Sequence, residues 1–556
     1  MKTIILNILF LLIFETQIFA QTDSNSTMKE ISKPILTEQD APSIELPEFQ
    51  ITGTEFISLP NFSKDTLDEE INFSTEGLLK RNRDLNVSFK EKDSKKNEVR
   101  RESMIGKVSG AIGNNSTSAI EGWFGKNYEQ GGIIFHAKTN GVDDKIRNAN
   151  SDLTGFSVDG NLLLNEYLKL NNPFRARGKV VIENNNYNTF GALNDFDRKK
   201  NNTNINFGVN SNIDSLFSFV KNINYTLDFD LNFFAIRDSN LKLEEFEFSI
   251  GGKTFQSIFN LPTIIATEFR GSNPSRNSEW NFSYPIYFKA EISFQNSFYE
   301  KYSAGINLQF ISTNGTDGKS LSNFFPQIEG RYNYSNAHSF SLAYNPTISY
   351  QNYSKIFERN PYLKTSTGLN PESIPFYLIF KSEHQLSPER GITSTILFEK
   401  RKNHLSYIDT TTEKLWQTTE IPSVNHFKFE LNWREEISSQ NSLQTIGSIN
   451  YYKAIDSNKT LPHIPLLNLS GIYKTILKEN LSLEFSATFS SKRWIDIENK
   501  NSLKGFLDLS AQCEYLFQER FKFFGNVTNL INQKIYLWDG YREKGFSILF
   551  GMTYSW

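Results

Sequence analysis

The sequence predicts an all-β protein: a large antiparallel transmembrane β-barrel of about 22 strands, with 20 as the alternative, behind a poorly ordered N-terminal segment. Three observations carry this. The chain ends in FSILFGMTYSW, where Phe546, Ile548, Phe550, Met552, Tyr554 and Trp556 fall on one face and Ser547, Gly551, Thr553 and Ser555 on the other. A period of two over that length is a strand, and ten or more residues suffice to cross a bilayer at a tilt. From Tyr284 onward, short and long connections alternate strictly, as they do in membrane barrels with short periplasmic turns and longer outer loops. No stretch approaches about 18 continuous apolar residues, so spanning helices are not expected.

The totals agree. Of 556 residues, 14% are aromatic and Phe alone supplies 48, within a modest hydrophobic content of 38%. That suits a sheet that shows half its side chains to lipid. The formal net charge of −3 gives no general attraction to nucleic acid. The single cysteine, Cys513, has no partner for a disulfide and falls on the apolar face of its strand.

Residues 1–20 read as a signal peptide: Lys2, a short apolar core, then Ile18-Phe19-Ala20. Residues 21–102 are polar, with a charged run at 90–103, and cannot bury enough apolar surface to offset the entropy of ordering. A β-prone island, IELPEFQITGTEF, stands out at 44–56.

The barrel is assigned to 103–556. Its clearest strands lie at 226–234, where Leu227, Phe229, Leu231 and Phe233 oppose Asp228, Asp230 and Asn232, and at 426–434, where Phe427, Phe429, Leu431 and Trp433 oppose Lys428, Glu430, Asn432 and Arg434. Such polar faces call for a wet lumen. At 507–517, Leu507, Leu509, Ala511, Cys513, Tyr515 and Phe517 alternate with Asp508, Ser510, Gln512 and Glu514. Long connections are expected at 312–322, 351–374, 400–422, 455–463, 491–502 and 532–544, and thirteen strands from Tyr284 onward. The last long connection places Trp556 on the periplasmic side.

The stretch 526–556, NVTNLINQKIYLWDGYREKGFSILFGMTYSW, resembles the C-terminus of TonB-dependent receptors. Asn529-Leu530-Ile531-Asn532 stands for that family's NLFN-like motif, Gly545 starts the last strand, and Trp556 is the terminal aromatic. LPHIP at 461–465 and SKRWID at 491–496 also look like late strands of that family. The resemblance implies an outer-membrane location in a Gram-negative bacterium, with Phe550, Tyr554 and Trp556 read by the barrel-assembly machinery. It also implies that the island resembles the segment preceding the family's plug, with Ile51, Thr52, Gly53 and Thr54 contacting a TonB-like energy-coupling protein. The chain departs from the family in one respect: about fifty residues separate Gly53 from Met104, too few for a standard plug. Inward-folded loops, the 21–102 segment or a plug or lipoprotein partner is therefore expected to fill the lumen.

No catalytic or metal site emerges. The six histidines (His136, His338, His384, His404, His426, His463) show no HExxH spacing and have no cysteine partners. Phosphate loops and nucleophile elbows are missing from the sequence too, so no enzyme activity and no cofactor is expected. The long loops carry aromatics and arginine. Tyr407, Trp416, Tyr541 and Arg542 are the expected ligand contacts at the outer mouth, while Trp494 and Trp538 flank strands and are expected in the interfacial belt. Two functions remain: transport or uptake of a solute across the outer membrane, or a non-transporting scaffold that docks a partner protein. In both, outer-membrane lipids surround the barrel and no nucleic acid is involved.

Overall fold

The computed structural model describes residues 104–556 apart from short connecting stretches at 115, 129–130, 143–148, 164–173, 192–198, 215–223, 238–241, 277–283, 299–300, 365–368 and 410–413. The expected signal peptide at 1–20, the 21–102 segment and the 44–56 island with Ile51, Thr52, Gly53 and Thr54 lie outside the described residues.

Twenty-two antiparallel strands run in sequence order around one closed sheet. One of them is interrupted: His338–Tyr344 and Thr347–Ser349 both pair with Glu372–Ser387. Nine strands precede Ile286–Phe298 and thirteen follow from it, as the alternation of turns requires. Closure comes from Met104–Gly113 pairing with Ser547–Ser555, from Lys107↔Ser555 to Gly113↔Leu549. At the end of that seam Gly106 and Trp556 exchange both backbone hydrogen bonds, at 3.1 and 3.0 Å. Closure removes the unpaired edges that lipid would not tolerate.

The period-two pattern decides which side each residue takes. Phe550, Met552, Phe523, Tyr515 and Leu507 are exposed on the outer surface, and Cys513 with them. Their neighbours turn inward, where Lys522 meets Glu514 at 3.2 Å and Lys428 meets Glu430 at 3.2 Å. In lipid these charges would cost several kcal/mol each, about 2 to 4 at the midplane; in the lumen they pair. Asp228 and Asp230 also turn inward and line a cavity of about 330 Å³ with Asp159, Arg177 and Lys179.

The turns at one end are tight, as at 388–389, 439–440 and 479–480. The other end is tall. Arg390–Ile408 and Gln417–Ser438 stay paired up to Ile408↔Gln417, so most of the long connection expected at 400–422 is strand, and only 409–416 is loop. Alternation marks a strand where lipid lies on one side; above the bilayer that contrast fades and the pairing continues unseen in the sequence.

Candidate functional site at the outer mouth

The tall end is closed by its own connections. The central piece is the connection 350–371, which leaves the barrel wall after Thr347–Ser349 and returns at Glu372. It contains the one described helix, α1 (Tyr353–Arg359). Asn352 caps it by accepting from Lys355 N at 3.0 Å, and Tyr353, Ile356 and Phe357 form its buried face. The strand Lys242–Ile258, elsewhere in the barrel wall, holds its start. Glu245 accepts from the backbone N–H of Tyr353 at 2.9 Å and of Ser354 at 3.3 Å, and Asn352 donates to Glu247 at 2.8 Å. Beyond the helix, Tyr187 donates to the Pro361 carbonyl at 2.8 Å and Lys200 to that of Leu363 at 2.7 Å. The segment is thus fastened to several separate strands, which carries it across the mouth.

Other outer connections interlock with it. Trp416 N–H donates to Tyr362 O at 3.3 Å, and Lys364 N–H to Trp416 O at 2.8 Å. Leu369 and Thr316 bond reciprocally, Leu369 N–H to Thr316 Oγ1 at 2.7 Å and Thr316 N–H to Leu369 O at 2.8 Å. Asn499 and Thr460 join two further loops by paired bonds of 2.9 and 2.8 Å. Lys414 forms an ion pair with Asp539. Gly540, at φ +86°, lies against Gly191: a Cβ on either would come within 2.7 Å of the other's carbonyl oxygen.

The lid has its own apolar core. Trp416, Trp538 and Tyr541 are nearly solvent-free, with ring centroids 5.1 Å apart for the two tryptophans and 5.8 Å for Trp416 and Tyr541. Tyr362 stacks on Tyr541 at 3.5 Å, Tyr407 meets Trp538 edge-on at 5.5 Å, and Phe190 meets Tyr541 at 5.3 Å. Wall residues Phe234, Ile236, Leu243 and Leu405 belong to the same cluster as α1.

Two histidines sit at the centre of polar networks. His463, in the loop 455–466, takes the Trp416 indole N–H on Nε2 at 3.1 Å and packs 4.6 Å from Trp538. Burial, with Arg493 adding to it, pushes its pKa down to about 3. Arg493 lies on the small hairpin formed by Arg493–Trp494 and Ser502–Leu503. It donates to the Tyr536 carbonyl, and burial lowers its pKa to about 10 against the pull of Glu543. Below the lid, His426 contacts Glu399 at 2.5 Å, Arg401 donates to Glu399 at 2.6 Å and to Glu372 at 3.3 Å, and His404 meets Glu372 at 2.7 Å.

The structure brings three of the four sequence-derived contacts together: Tyr407, Trp416 and Tyr541 share the lid core. Arg542 is half-buried on the same hairpin, where it pairs with Tyr536. Trp538 does not sit in the interfacial belt; its short strand folds inward and buries the indole. Trp494 is half-buried beneath the Lys492 ammonium, 4.9 Å from its ring centroid. Arg401, Glu399 and Glu372 were not legible as a site, because their partners come from distant strands and no spacing signals them; Arg493 stands among the loop arginines and aromatics of the sequence, without its partners. Among the described residues no cluster of His, Cys, Asp and Glu has a geometry able to hold a metal ion.

No protein-family model matches the chain, nor does any curated protein. Solved structures do. The copper transporter OprC superposes with a TM-score of 0.62 at 10% identity, over 82% of this chain and 81% of its own. The FrpB iron transporter from Neisseria meningitidis gives 0.64 at 9% identity, over 82% and 81%. The siderophore receptor PirA from Acinetobacter baumannii gives 0.60 at 10%, over 82% and 80%. At these identities the likeness is one of fold, and the fold is the 22-strand barrel of TonB-dependent receptors that the C-terminal resemblance implied.

Proposed function

We propose that this chain is an outer-membrane transporter that takes up a solute through a barrel whose outer mouth is gated by the lid. The observation that carries the reading is the lid itself: the connection bearing α1 shares one apolar core with the outer connections that carry Phe190, Trp416 and the Trp538–Tyr541 hairpin, and Thr316 of a further connection is hydrogen-bonded to it. A barrel of this size encloses a wide lumen that has to be closed. Similar folds belong to proteins named as copper and iron transporters and a siderophore receptor, which supports uptake. In this reading Tyr407, Trp416, Tyr541 and Arg542 meet the solute when the lid opens. Ile51, Thr52, Gly53 and Thr54 engage a TonB-like protein. A plug or lipoprotein partner serves on the periplasmic side, the barrel-assembly machinery reads Phe550, Tyr554 and Trp556, and outer-membrane lipids surround the wall. The chain performs no catalysis.

Planar-bilayer conductance of the full chain tests this, beside a variant in which 354–370 is replaced by a short Gly-Ser linker. Uptake through a lidded lumen requires a silent full chain and large channels in the variant. If both are silent while folded barrels are inserted, the transport reading fails. The scaffold reading then holds, with the closed mouth as a surface on which a partner protein docks.

A further inference from the structure

The lid core contains more hydrogen-bond donors than it uses. Arg493 is 1% exposed, yet no carboxylate lies within ion-pairing distance of it, and its Nε and Nη1 have no partner among the described residues. One donor, Nη2, is spent on the Tyr536 carbonyl. Beside it His463 is equally buried. Its Nε2 accepts from Trp416, so the ring proton sits on Nδ1, and that N–H is also unpartnered. Trp538, packed on His463, has a buried indole N–H with no acceptor. Arg542, paired across the hairpin with the same Tyr536 whose carbonyl Arg493 holds, has no ion-pair partner among the described residues and an unpartnered Nε.

A buried guanidinium without a counter-charge is strongly unfavourable, and each unpaired buried N–H adds its own desolvation cost. All the unpartnered nitrogens here are donors. The missing complement is therefore an acceptor-rich, negatively charged group rather than a cation or an apolar moiety. Glu543 exerts an acidic pull on Arg493 without forming an ion pair with it, and the Phe506 ring lies 5.7 Å from the guanidinium carbon.

We propose that the lid core binds an oxyanion, a carboxylate or phosphate group, on the donors of Arg493, His463 and Trp538, with Arg542 adding charge at its edge. The free Arg493 N–H groups offer charge-assisted bonds to such a group, and the ring N–H groups of His463 and Trp538 add two neutral donors nearby. In the transport reading, on which this consequence rests, the oxyanion belongs to the solute, and its arrival offsets the buried charge and holds the lid in one arrangement. Solutes carrying a carboxylate or phosphate are then the preferred class.

The test is binding by the detergent-purified full chain, read by tryptophan fluorescence and thermal unfolding. The probes are citrate and inorganic phosphate, with chloride at equal ionic strength and neutral glycerol as controls. Citrate or phosphate should quench fluorescence saturably and raise the Tm, while the controls do neither. Arg493→Gln should weaken that binding about thirtyfold, the value of one charge-assisted hydrogen bond, and Arg493→Lys should retain part of it. Heat-modified gel mobility verifies that each variant is a folded barrel. The Tm of Arg493→Gln without anion adds a second reading: relieved of an uncompensated charge, it should be no lower than that of the unsubstituted chain.

No saturable response beyond the chloride control, or equal binding by Arg493→Gln, overturns the site. A lower anion-free Tm for Arg493→Gln together with no anion effect assigns Arg493 a purely structural role and also overturns it. Conductance separates this from the gate: anion binding with a lid that never opens leaves the site standing and removes the transport reading, and the converse removes the site alone.

Discussion

Arg401 donates from Nε to Glu399 Oε1 at 2.6 Å, and neither side chain reaches solvent. Both lie on the strand Arg390–Ile408, two residues apart, so both point to the same side of the sheet. The same guanidinium reaches Glu372, the residue at which the lid segment rejoins the wall. The lid is therefore anchored at its return point by an ion network that excludes water. Removing Arg401 leaves Glu399 and Glu372 to His426 and His404 alone, and breaking a buried ion pair ordinarily costs about 3–5 kcal/mol. Arg401→Met should lower barrel stability by that order in urea titration followed by gel mobility. The double variant Arg401→Met/Glu399→Leu should recover much of the loss. A single variant as stable as the unsubstituted chain would mean the network is dispensable.

The barrel was legible in the sequence and the lid was not, for a physical reason. A strand with lipid on one side and water on the other must alternate, so Phe550, Met552 and Thr553 announce their faces one residue at a time. The lid has no such neighbour. Its contacts join residues far apart in sequence, such as Tyr353 N–H to Glu245, 108 positions away. Its aromatics follow no period, and Trp538 looks like a belt residue because it flanks a short strand. Tyr407, Trp416 and Tyr541 were singled out as unusual loop aromatics, and their shared core accounts for them. Glu245, by contrast, reads as one more polar position in LEEFEF.

Glu245 tests the attachment of α1. Its carboxylate takes two backbone N–H groups from the start of the helix and one hydroxyl from Ser272 at 2.9 Å. Glu245→Ala leaves those N–H groups buried without an acceptor, at about 1–3 kcal/mol. Hydrogen exchange of amides 353–359 should speed up by one to two orders of magnitude, while strands such as Leu481–Ser490 keep their protection. Glu245→Gln retains one acceptor oxygen and should show a smaller effect. Uniform acceleration across the barrel would instead place Glu245 in global stability.

The lid should loosen in acid through His463. Its folded pKa of about 3 lies below the ordinary 6.5, so the neutral form is the one that folds. A group with a depressed folded pKa contributes its stability fully above the unfolded pKa and loses it as pH falls. The loss begins near pH 6.5 and proceeds toward 3, at up to about 1.4 kcal/mol per pH unit. Protonating Nε2 also breaks the bond from Trp416, since that nitrogen can no longer accept. Tryptophan emission should therefore shift to the red between pH 6 and 4, and His463→Gln should flatten that transition. A midpoint unchanged by the substitution would assign the acid sensitivity to the carboxylates elsewhere in the lid.

The closing seam gives the last prediction. The Trp556 indole lies over Gly106, and a Cβ there would fall within 2 Å of the ring, at 1.9 Å from one of its carbons. Both residues also exchange the terminal pair of backbone hydrogen bonds. Tyr554 stacks on Trp556 at 5.6 Å and meets Phe521 at a tilt at 4.9 Å, so the aromatic end of the chain is held by the strands on both sides of it. Gly106→Val must expel the indole and should cost about 1–3 kcal/mol through overpacking. Trp556→Ala relieves the clash, so the double variant should be more stable than Gly106→Val alone, in a measurable departure from additivity. The readout is the unfolding midpoint of refolded barrels in detergent, where no assembly machinery takes part. Purely additive effects would show that the ring does not rest on Gly106 in the folded barrel.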